Sequence, residues 1–538
     1  MATVPRRARA RARRTPPVLR DRRALVGLLA LVVAAVVAFV ALGGDGDDAP
    51  PASAAAALVP ADALAYLHVS TDGDRAAVGR GLELLRRLGA EEGAGRQLSG
   101  LLSARDGRPV DFARDVRPWL GDEAALAITR GRGTTAGSLL LLAVADEGKA
   151  RDFLGRNGGR ARSADHRGTA VSTYRSGAVT AFVDGFLAIG QRATVHAAID
   201  LATDAGGASA LADADLFRRA TADQPDERVL DGYASVDGVR RLLAPQSGLL
   251  GLAGAMLDQP GLRAAAIAVT AGSTTARVSA RQILDPSGRT AAPRFTPTLT
   301  RSVPERALAY AGFTSVERAL PLLLGVGGVG GVGGDTAGMI REAGRLLADS
   351  GVSFARDVLP LFGREVAVAI VDADGTPAVA LLARTPDEGR TRTALRNLEP
   401  AIARLFAPRG GEPPAFGDGS VGGVATRRLQ AGAGAELHYA VRDGTLAVST
   451  SEAALTAVVR PQGSIVDNPA YKAVIPDSQS ELTSIVFFDF SQLLSLFEPL
   501  GLTGASGLFA DLQSVRAVGL TSLSGEAQTT AELTFEIP

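Results

Sequence analysis

One segment of the chain is written twice, and this constrains the fold more than any other feature. Residues 112–128 read FARDVRPWLGDEAALAI, and residues 354–370 read FARDVLPLFGREVAVAI, with eleven of the seventeen positions identical. A second pair, VPADALAYLHVS (59–70) and VPERALAYAGFT (303–314), follows the same order. Solenoid repeats have periods of roughly 20–50 residues, which is far shorter than this spacing. The sequence therefore predicts two tandem copies of one domain-sized fold, packed as a pseudo-twofold pair.

The order of these matches, together with changes in composition, divides the 538 residues into six parts. The joint between the copies is rich in Pro, Thr and Ser, which is typical of linkers. The predicted parts are a cytoplasmic Arg-rich tail (1–23), a transmembrane anchor (24–42), a flexible spacer (43–57), a first extracytoplasmic unit (58–285), a linker (286–302) and a second extracytoplasmic unit (303–538).

The anchor is predicted from nineteen apolar residues, ALVGLLALVVAAVVAFVAL, at 24–42. A helix needs about 20 such residues to cross a bilayer. Nine arginines and one acid precede this stretch, and positive residues stay on the cytoplasmic side. We therefore expect a single-pass protein of the cell membrane with its bulk outside the cytoplasm. The alternative is a cleaved signal peptide, whose apolar region is usually shorter, about 7–15 residues.

Each copy is predicted to be α+β, with mostly antiparallel sheet and packed helices. Alternating apolar stretches such as ALAYLHVS indicate strands, and the Asp-Gly pairs at 184–185 and 443–444 indicate tight hairpin turns. Helical segments are expected at 74–88 and 92–104, with Asp146 and Asp387 as N-caps of later helices. Because successive strands connect mostly to near neighbours, this pattern does not favour a doubly wound parallel sheet.

Composition excludes several classes of function. The chain has no cysteine, so disulfides, thiolate metal sites and thiol nucleophiles are absent. Beyond the Arg-rich tail, 48 basic residues (57 less nine) stand against 56 acidic ones (57 less one), a net charge of −8. An acidic body is a poor binder of polyphosphate, so no nucleic-acid partner is expected.

A search for catalytic, cofactor-binding and metal-ligating residues predicts none. The four histidines lack metal-ligand spacing and are interpreted as surface or satisfied side chains: His68, His166, His196 and His438. GVGGVG at 325–330 is interpreted as a glycine insertion and not a phosphate-binding loop, since no strand precedes it. The acidic turns DGD (72–74) and DAD (372–374) lack the further ligands of a calcium loop.

Both copies share two carboxylates, Asp115 with Glu123 and Asp357 with Glu365. A functional interpretation makes them paired acids at two symmetric sites. The structural interpretation is that each Asp orients the DVxP turn and each Glu starts the next strand. Repetition favours the second, because a duplicated fold keeps its structural signatures. Trp119, the only tryptophan, is Leu361 in the second copy; one interpretation is a one-sided binding patch, and the favoured one is a partly buried packing role.

The anchor, LVPADALAYLHVS, FARDVRPWLGDEAALAI and ADLFRR together resemble a bacterial family of domains of unknown function, numbered 3352. The resemblance covers most of the chain after residue 58, although the second copy has PLFGRE in place of PWLGDE. It implies a membrane-anchored envelope protein, chiefly of high-GC Gram-positive lineages. The family has no established activity, so it supplies no catalytic residue.

Three functions remain open from the sequence. The favoured one is a non-enzymatic binding or envelope-organising module, with an envelope protein or lipid as partner at the cleft between the units. The second is a carrier of an apolar ligand, such as an envelope lipid, held between sheet and helices. The third is an unrecognised hydrolase that uses shared acids such as Asp115 and Glu123. No cofactor is expected, and the oligomeric state stays open.

Overall fold

The structure is a computed structural model of the 538-residue chain. It describes residues 49–87, 112–131, 136–175, 177–204, 207–243, 257–287, 290–314, 345, 348–373, 375–407, 411–431, 435–476, 481–492 and 514–538. The predicted tail and anchor (1–42), the helix expected at 92–104 and GVGGVG at 325–330 lie outside these ranges. Among the described residues, no helix is long and apolar enough to cross a bilayer.

The described residues form a mixed fold of antiparallel sheet and several helices, as the sequence predicts. The described part of the first half contains ten strands: β1 Ala65–Ser70, β2 Leu120–Arg130, β3 Ala136–Val144, β4 Ala161–His166, β5 Thr169–Tyr174, β6 Val179–Val183, β7 Phe186–Gly190, β8 Arg228–Ser235, β9 Leu262–Ala271 and β10 Thr275–Leu284. Ten follow in the second half: β11 Ala309–Phe313, β12 Val366–Ala373, β13 Thr376–Arg384, β14 Phe416–Val421, β15 Val424–Ala431, β16 Ala435–Arg442, β17 Thr445–Ser449, β18 Ser484–Asp489, β19 Ala517–Ser524 and β20 Gln528–Glu536.

Helices separate the strands in both halves. The α-helices are α1 Ala76–Arg87, α2 Phe112–Asp115, α3 Glu147–Asn157, α4 Arg192–Ala202, α5 Asp215–Thr221, α6 Val236–Gly238, α7 Glu388–Leu405, α8 Glu452–Val459 and α9 Pro469–Val474. Short 3-10 turns occur at Ala54–Leu58, Leu211–Asp213, Leu299–Ser302, Leu359–Leu361 and Ile465–Asp467, and π-helical turns at Val239–Leu243 and Phe354–Val358.

The pairings of the strands repeat from one half to the other. In the first half the order across the sheet is β4-β5-β6-β7-β3-β2-β1-β8-β9-β10, with every pair antiparallel. In the second half it is β14-β15-β16-β17-β13-β12-β11-β18-β19-β20, again antiparallel throughout. Each strand of one half therefore has a counterpart in the other.

One further pairing joins the halves into a 20-stranded sheet. Strands β10 and β20 pair antiparallel from Thr275↔Glu536 to Ile283↔Gln528, and the middle pair is Ser279↔Glu532. We call this β10–β20 pairing the seam. It aligns the same face of both halves, because directly paired residues of antiparallel strands project to one side.

Helices cover both faces of the sheet. On the face that carries Tyr66, Tyr233, Tyr310 and Phe487, helices α4 and α5 pack on the first half and α8 and α9 on the second. We call it the tyrosine face. On the opposite face, α1 and α3 cover the first half and α7 covers part of the second. Burial of these apolar side chains, at about 25 cal/mol per Å² removed from water, is what holds the layers together.

Local signals behave as the sequence predicts. Asp146 caps α3 by accepting the Lys149 N–H at 3.0 Å, and Asp387 caps α7 by accepting the Arg390 N–H at 3.0 Å. Asp184 (φ 47°) and Asp443 (φ 51°) adopt positive φ, each followed by a positive-φ glycine, as a tight primed hairpin turn requires. These contacts span only a few residues, so the local sequence is enough to predict them.

Two predicted boundaries need correction. The described part of the predicted spacer is not free, because Ala54–Leu58 form a 3-10 turn in which Ala55, Ala56 and Leu58 are buried in the core. Likewise, the end of the predicted linker packs onto the second half, where Leu299 is buried and Phe295 pairs with Leu482. In both cases a few apolar residues complete a hydrophobic core, although the composition of the segment is typical of a spacer.

Candidate functional site

The carboxylates that the sequence pairs are separated by the structure. Asp115 forms an ion pair with its neighbour Arg114 at 2.9 Å, and its backbone carbonyl accepts the Trp119 indole N–H at 2.8 Å. Trp119 is fully buried against Phe153, as its packing interpretation predicts. Asp357 accepts the Ser353 N–H at 2.7 Å, which orients the matching turn in the second half. Both aspartates therefore organise turns.

The two glutamates hold the N-terminal turns of their halves. Glu123 accepts the N–H groups of Ala54 (2.9 Å) and Ala55 (3.2 Å). Glu365 accepts the Leu299 N–H at 2.7 Å and the Thr298 hydroxyl at 2.5 Å. Glu365 precedes β12, but Glu123 lies inside β2, so the prediction that each Glu starts a strand is wrong for the first half. A carboxylate at such a turn satisfies N–H groups that the helical geometry leaves unpaired.

Glu123 also belongs to a buried charged cluster that the sequence did not reveal. His68 Nδ1 lies 2.8 Å from Asp231 Oδ1, and His68 Nε2 lies 3.4 Å from Glu123 Oε2 without hydrogen-bond alignment. Arg228 Nε contacts the same Asp231 oxygen at 3.2 Å. The side chains converge because β2, β1 and β8 are adjacent and Ser70, His68 and their partners face one side. We call His68, Glu123 and Asp231 the buried triad.

The electrostatics of the triad favour a charged imidazole. Burial by itself would lower the pKa of His68, but the carboxylates of Asp231 and Glu123 outweigh it and raise the pKa from 6.5 to about 9. At neutral pH the ring is therefore an imidazolium between two acids. Its exposure is 1%, and that of Ser70, two residues along the strand, is 0%. A histidine sealed in this way has no exposed edge to offer a substrate, and we interpret it as part of the packed interior.

The other histidines have local partners. His166 Nε2 lies 2.9 Å from Asp200 and its ring stacks on that of His196, with centroids 3.9 Å apart. His438 Nε2 lies 2.8 Å from Glu436. Within the described ranges, no group of three or more His, Asp or Glu side chains is arranged to hold a metal ion. The Asp72 carboxylate accepts the Asp74 N–H at 2.9 Å, so the first side chain of the DGD turn closes the turn itself.

A cleft of about 410 Å³ lies on the tyrosine face over the seam. Its floor is formed by β9, β10, β20 and β19, through residues that include Ala268, Ser279, Thr530 and Leu523. One wall is the segment at 220–225 that follows α5 in the first half. The opposite wall comes from the second half and its entry segment, through Arg294, Glu481 and Leu482. The cleft therefore exists only because the two halves share one sheet.

Ion pairs line this cleft. Arg281 on the floor contacts Asp223 on the first wall at 3.0 Å, Arg294 contacts Glu481 at 3.6 Å on the other, and Arg277 contacts Glu532 at 3.1 Å on the seam. Asp223 is 83% exposed. The contacting atoms of Arg277 and Glu532, by contrast, are buried. Solvated pairs such as Arg294–Glu481 contribute about 0–1 kcal/mol, so a ligand can replace them at little cost. The arrangement suits exchangeable polar binding, and the volume falls in the range of small-ligand pockets, about 300–1,000 Å³.

Comparisons with known proteins give few relatives. No curated protein matches the sequence. Among solved structures, crystal form III of TP0453 is similar with a TM-score of 0.27 and 12% identity, covering 42% of this chain and 78% of that one. Crystal form I of TP0453 has a TM-score of 0.26 and 12% identity, covering 42% and 77%.

The match to a protein family is broader and agrees with the sequence resemblance. The family described as "Protein of unknown function (DUF3352)" matches residues 24–309, from the first residue of the predicted anchor to the start of β11. This range is more than half of the 538 residues, and the chain belongs to that family.

Proposed function

We propose that this protein is a non-enzymatic binding module of the cell envelope, anchored in the membrane through residues 24–42, and that its binding site is the cleft over the seam. The observation that carries the proposal is the position of the cleft, whose walls come from opposite halves while its floor is continuous sheet. We further propose that the halves arose by tandem duplication, which the repeated strand pairings support.

Two properties of the cleft favour binding over catalysis. Its guanidinium groups are each paired with a carboxylate, so none stands alone beside a nucleophile. Its hydroxyl groups, such as those of Ser279 and Thr530, lie apart from the buried triad, which occupies β1, β2 and β8. Activation of a hydroxyl nucleophile needs a base within hydrogen-bond reach. The hydrolase and carrier alternatives remain predictions of the sequence, and no contact of the described residues favours either.

Photo-crosslinking in intact cells of the native host tests the proposal. A photoreactive residue at Leu523 projects from the cleft floor, next to its paired neighbour Thr530. We expect a discrete adduct from this position, and we expect Thr530→Trp to reduce its yield at least tenfold by filling the cleft. The matched controls are a photoreactive residue at Ser163 and the variant Ser163→Trp, on exposed strand β4. If Leu523 gives no adduct that Thr530→Trp removes, the cleft is not the binding site.

A further inference from the structure

The cleft lies beside the point where the chain leaves for its predicted anchor. The side chain of Arg75, itself buried, donates from Nε to the Ala49 carbonyl at 2.9 Å. The same guanidinium donates to the carbonyls of Asp226 (2.8 Å) and Arg228 (3.0 Å). Asp226 is three residues beyond Asp223 of the cleft wall, so on extended-chain geometry Ala49 and that wall are within roughly 15 Å. We call residues 72–75, 122 and 226–228 the tether corner.

The N-terminal segment is held at this corner by two independent contacts. Arg75 binds the Ala49 carbonyl, and Glu123 binds the N–H groups of Ala54 and Ala55. Only residues 43–48 then separate the end of the predicted anchor from the folded body. At about 3.3–3.6 Å per residue, this span reaches at most about 25 Å. With the anchor of the proposed function, the tether corner lies within that reach of the bilayer, and the cleft wall is next to it.

The charge around the corner selects among membrane partners. Exposed acids lie on and beside it at Asp74, Asp122, Asp223, Asp226 and Glu227, and the Arg117 guanidinium lies near Gly73. Asp122 is close to Asp72 and Asp74, and its pKa is raised by partial burial and then by their charges. Arg75 and Arg228 are committed to carbonyls and to Asp231 inside the fold. Anionic lipid headgroups are repelled by such a surface, whereas a basic segment is attracted.

We propose that the cleft receives a basic, extracytoplasmic segment of an integral membrane protein, presented from the adjacent bilayer. This inference rests on the proposed function, since it assumes that the cleft binds and that residues 24–42 anchor the chain. The arginine or lysine side chains of the partner pair with Asp223 and with the neighbouring acids at 226–227. Their binding displaces the Arg281–Asp223 contact, in which the Asp223 carboxylate is already open to solvent.

The test uses the full-length protein in membranes of its native host, with a photoreactive residue at the exposed wall position Ala222. We expect the adduct to stay in the membrane pellet after an alkaline wash and to contain an integral membrane protein. Reversing the charge of Asp223 on the cleft wall together with two acids of the tether corner, as Asp223→Lys, Asp226→Lys and Glu227→Lys, is expected to reduce the yield of the adduct at least tenfold. A matched triple change at exposed acids elsewhere, Asp152→Lys, Glu412→Lys and Glu452→Lys, is expected to leave the yield within twofold.

The outcomes separate this inference from the proposed function. An adduct with a protein that the alkaline wash releases, or with lipid alone, overturns the membrane-protein partner while the cleft remains a binding site. An adduct that survives the corner reversal, or that the control reversal removes equally, overturns the charge recognition. If Ala222 gives no adduct while Leu523 does, the partner does not approach from the tether corner. Failure at both positions overturns the proposed function as well.

Discussion

In the first half, His68 and Asp231 face each other across strands β1 and β8, whereas Gly312 and Ile485 stand at the matching positions of β11 and β18. The match follows from register, because each pair lies two residues from the paired aromatic residues Tyr66↔Tyr233 and Tyr310↔Phe487. One half thus buries an ion pair where the other buries a glycine against an isoleucine.

The second half has no room for a side chain at this position. A Cβ atom on Gly312 would lie 2.9 Å from Ile485 Cγ2 and 2.9 Å from the Tyr310 hydroxyl. The glutamate nearby is nevertheless present in both halves, at Glu123 and Glu365, and binds the entry turn each time. Both halves therefore keep the glutamate, and both fill the space at the neighbouring residue pair. Only the first half places charged side chains there, so the fold does not depend on charge at this pair.

The largest expected loss of stability comes from removing one partner of the His68–Asp231 ion pair. His68→Gly leaves Asp231 and Glu123 buried without the imidazolium, and removing one partner of a buried pair costs about 3–5 kcal/mol. We expect the free energy of unfolding of the purified protein, measured by urea titration, to fall by about that amount. A loss under about 1 kcal/mol would mean that the triad is not a charged unit.

The entry turns provide a second test, because both halves use the same device. Glu123→Ala and Glu365→Ala each remove charge-assisted hydrogen bonds, worth roughly 1.5–3 kcal/mol. We expect similar losses of stability in the two variants. Hydrogen exchange is expected to speed up at Ala54 and Ala55 in the first variant and at Leu299 in the second. If only one glutamate protects its turn, the halves do not share this device.

The dependence of stability on pH distinguishes the halves. The pKa of folded His68, about 9, is above its usual 6.5, so its contribution is complete below pH 6.5 and is lost as pH rises through 9. The slope from this one group is at most about 1.4 kcal/mol per pH unit. We expect urea midpoints measured between pH 6.5 and 9.5 to decrease. The same slope in a variant lacking His68 would assign the effect to another group.

The smallest expected effect comes from transplanting the arrangement of the second half. The double variant His68→Gly with Asp231→Ile removes both charges of the pair and adds apolar volume, while Glu123 keeps the Ala54 and Ala55 N–H groups and Arg228 keeps the Pro225 carbonyl. Replacing a whole buried pair by packed apolar groups is often nearly neutral. We expect it to recover most of the stability that His68→Gly loses, to within about 1–2 kcal/mol of the natural protein. A double variant no more stable than His68→Gly alone would break the equivalence of the two positions.

The sequence predicts the features that neighbouring residues determine, but not the contacts between residues far apart in the chain. The Asp-Gly turns, the N-caps Asp146 and Asp387 and the antiparallel α+β class follow from neighbouring residues or from strand spacing. His68 and Asp231 are 163 residues apart, and Glu123 reaches a turn 68 residues upstream, so only tertiary structure brings them together. One usable signal was present: the two copies align His68 with Gly312, which marks a position where the halves differ.

The seam and its cleft were predicted only in outline. The predicted duplication implies a cleft between the two halves, but the pairing of β10 with β20 depends on register between strands about 250 residues apart. The β9–β10 and β19–β20 hairpins occupy matching positions in the two halves, and their sequences do not indicate which strand edges pair. The predicted spacer differs from the structure for a related reason. Its alanines and prolines are typical of a linker, and only the structure shows that Glu123 and Arg75 bind its backbone.

The central claim is that binding occurs in the cleft and that the buried triad only stabilises the fold. Photo-crosslinking from Leu523 in intact cells, compared between the double variant His68→Gly/Asp231→Ile and the variant Thr530→Trp, tests it most directly. The account predicts that the double variant keeps the adduct at its natural yield while Thr530→Trp loses at least nine-tenths of it. Loss of the adduct in a folded double variant, with the adduct retained in Thr530→Trp, would contradict the account.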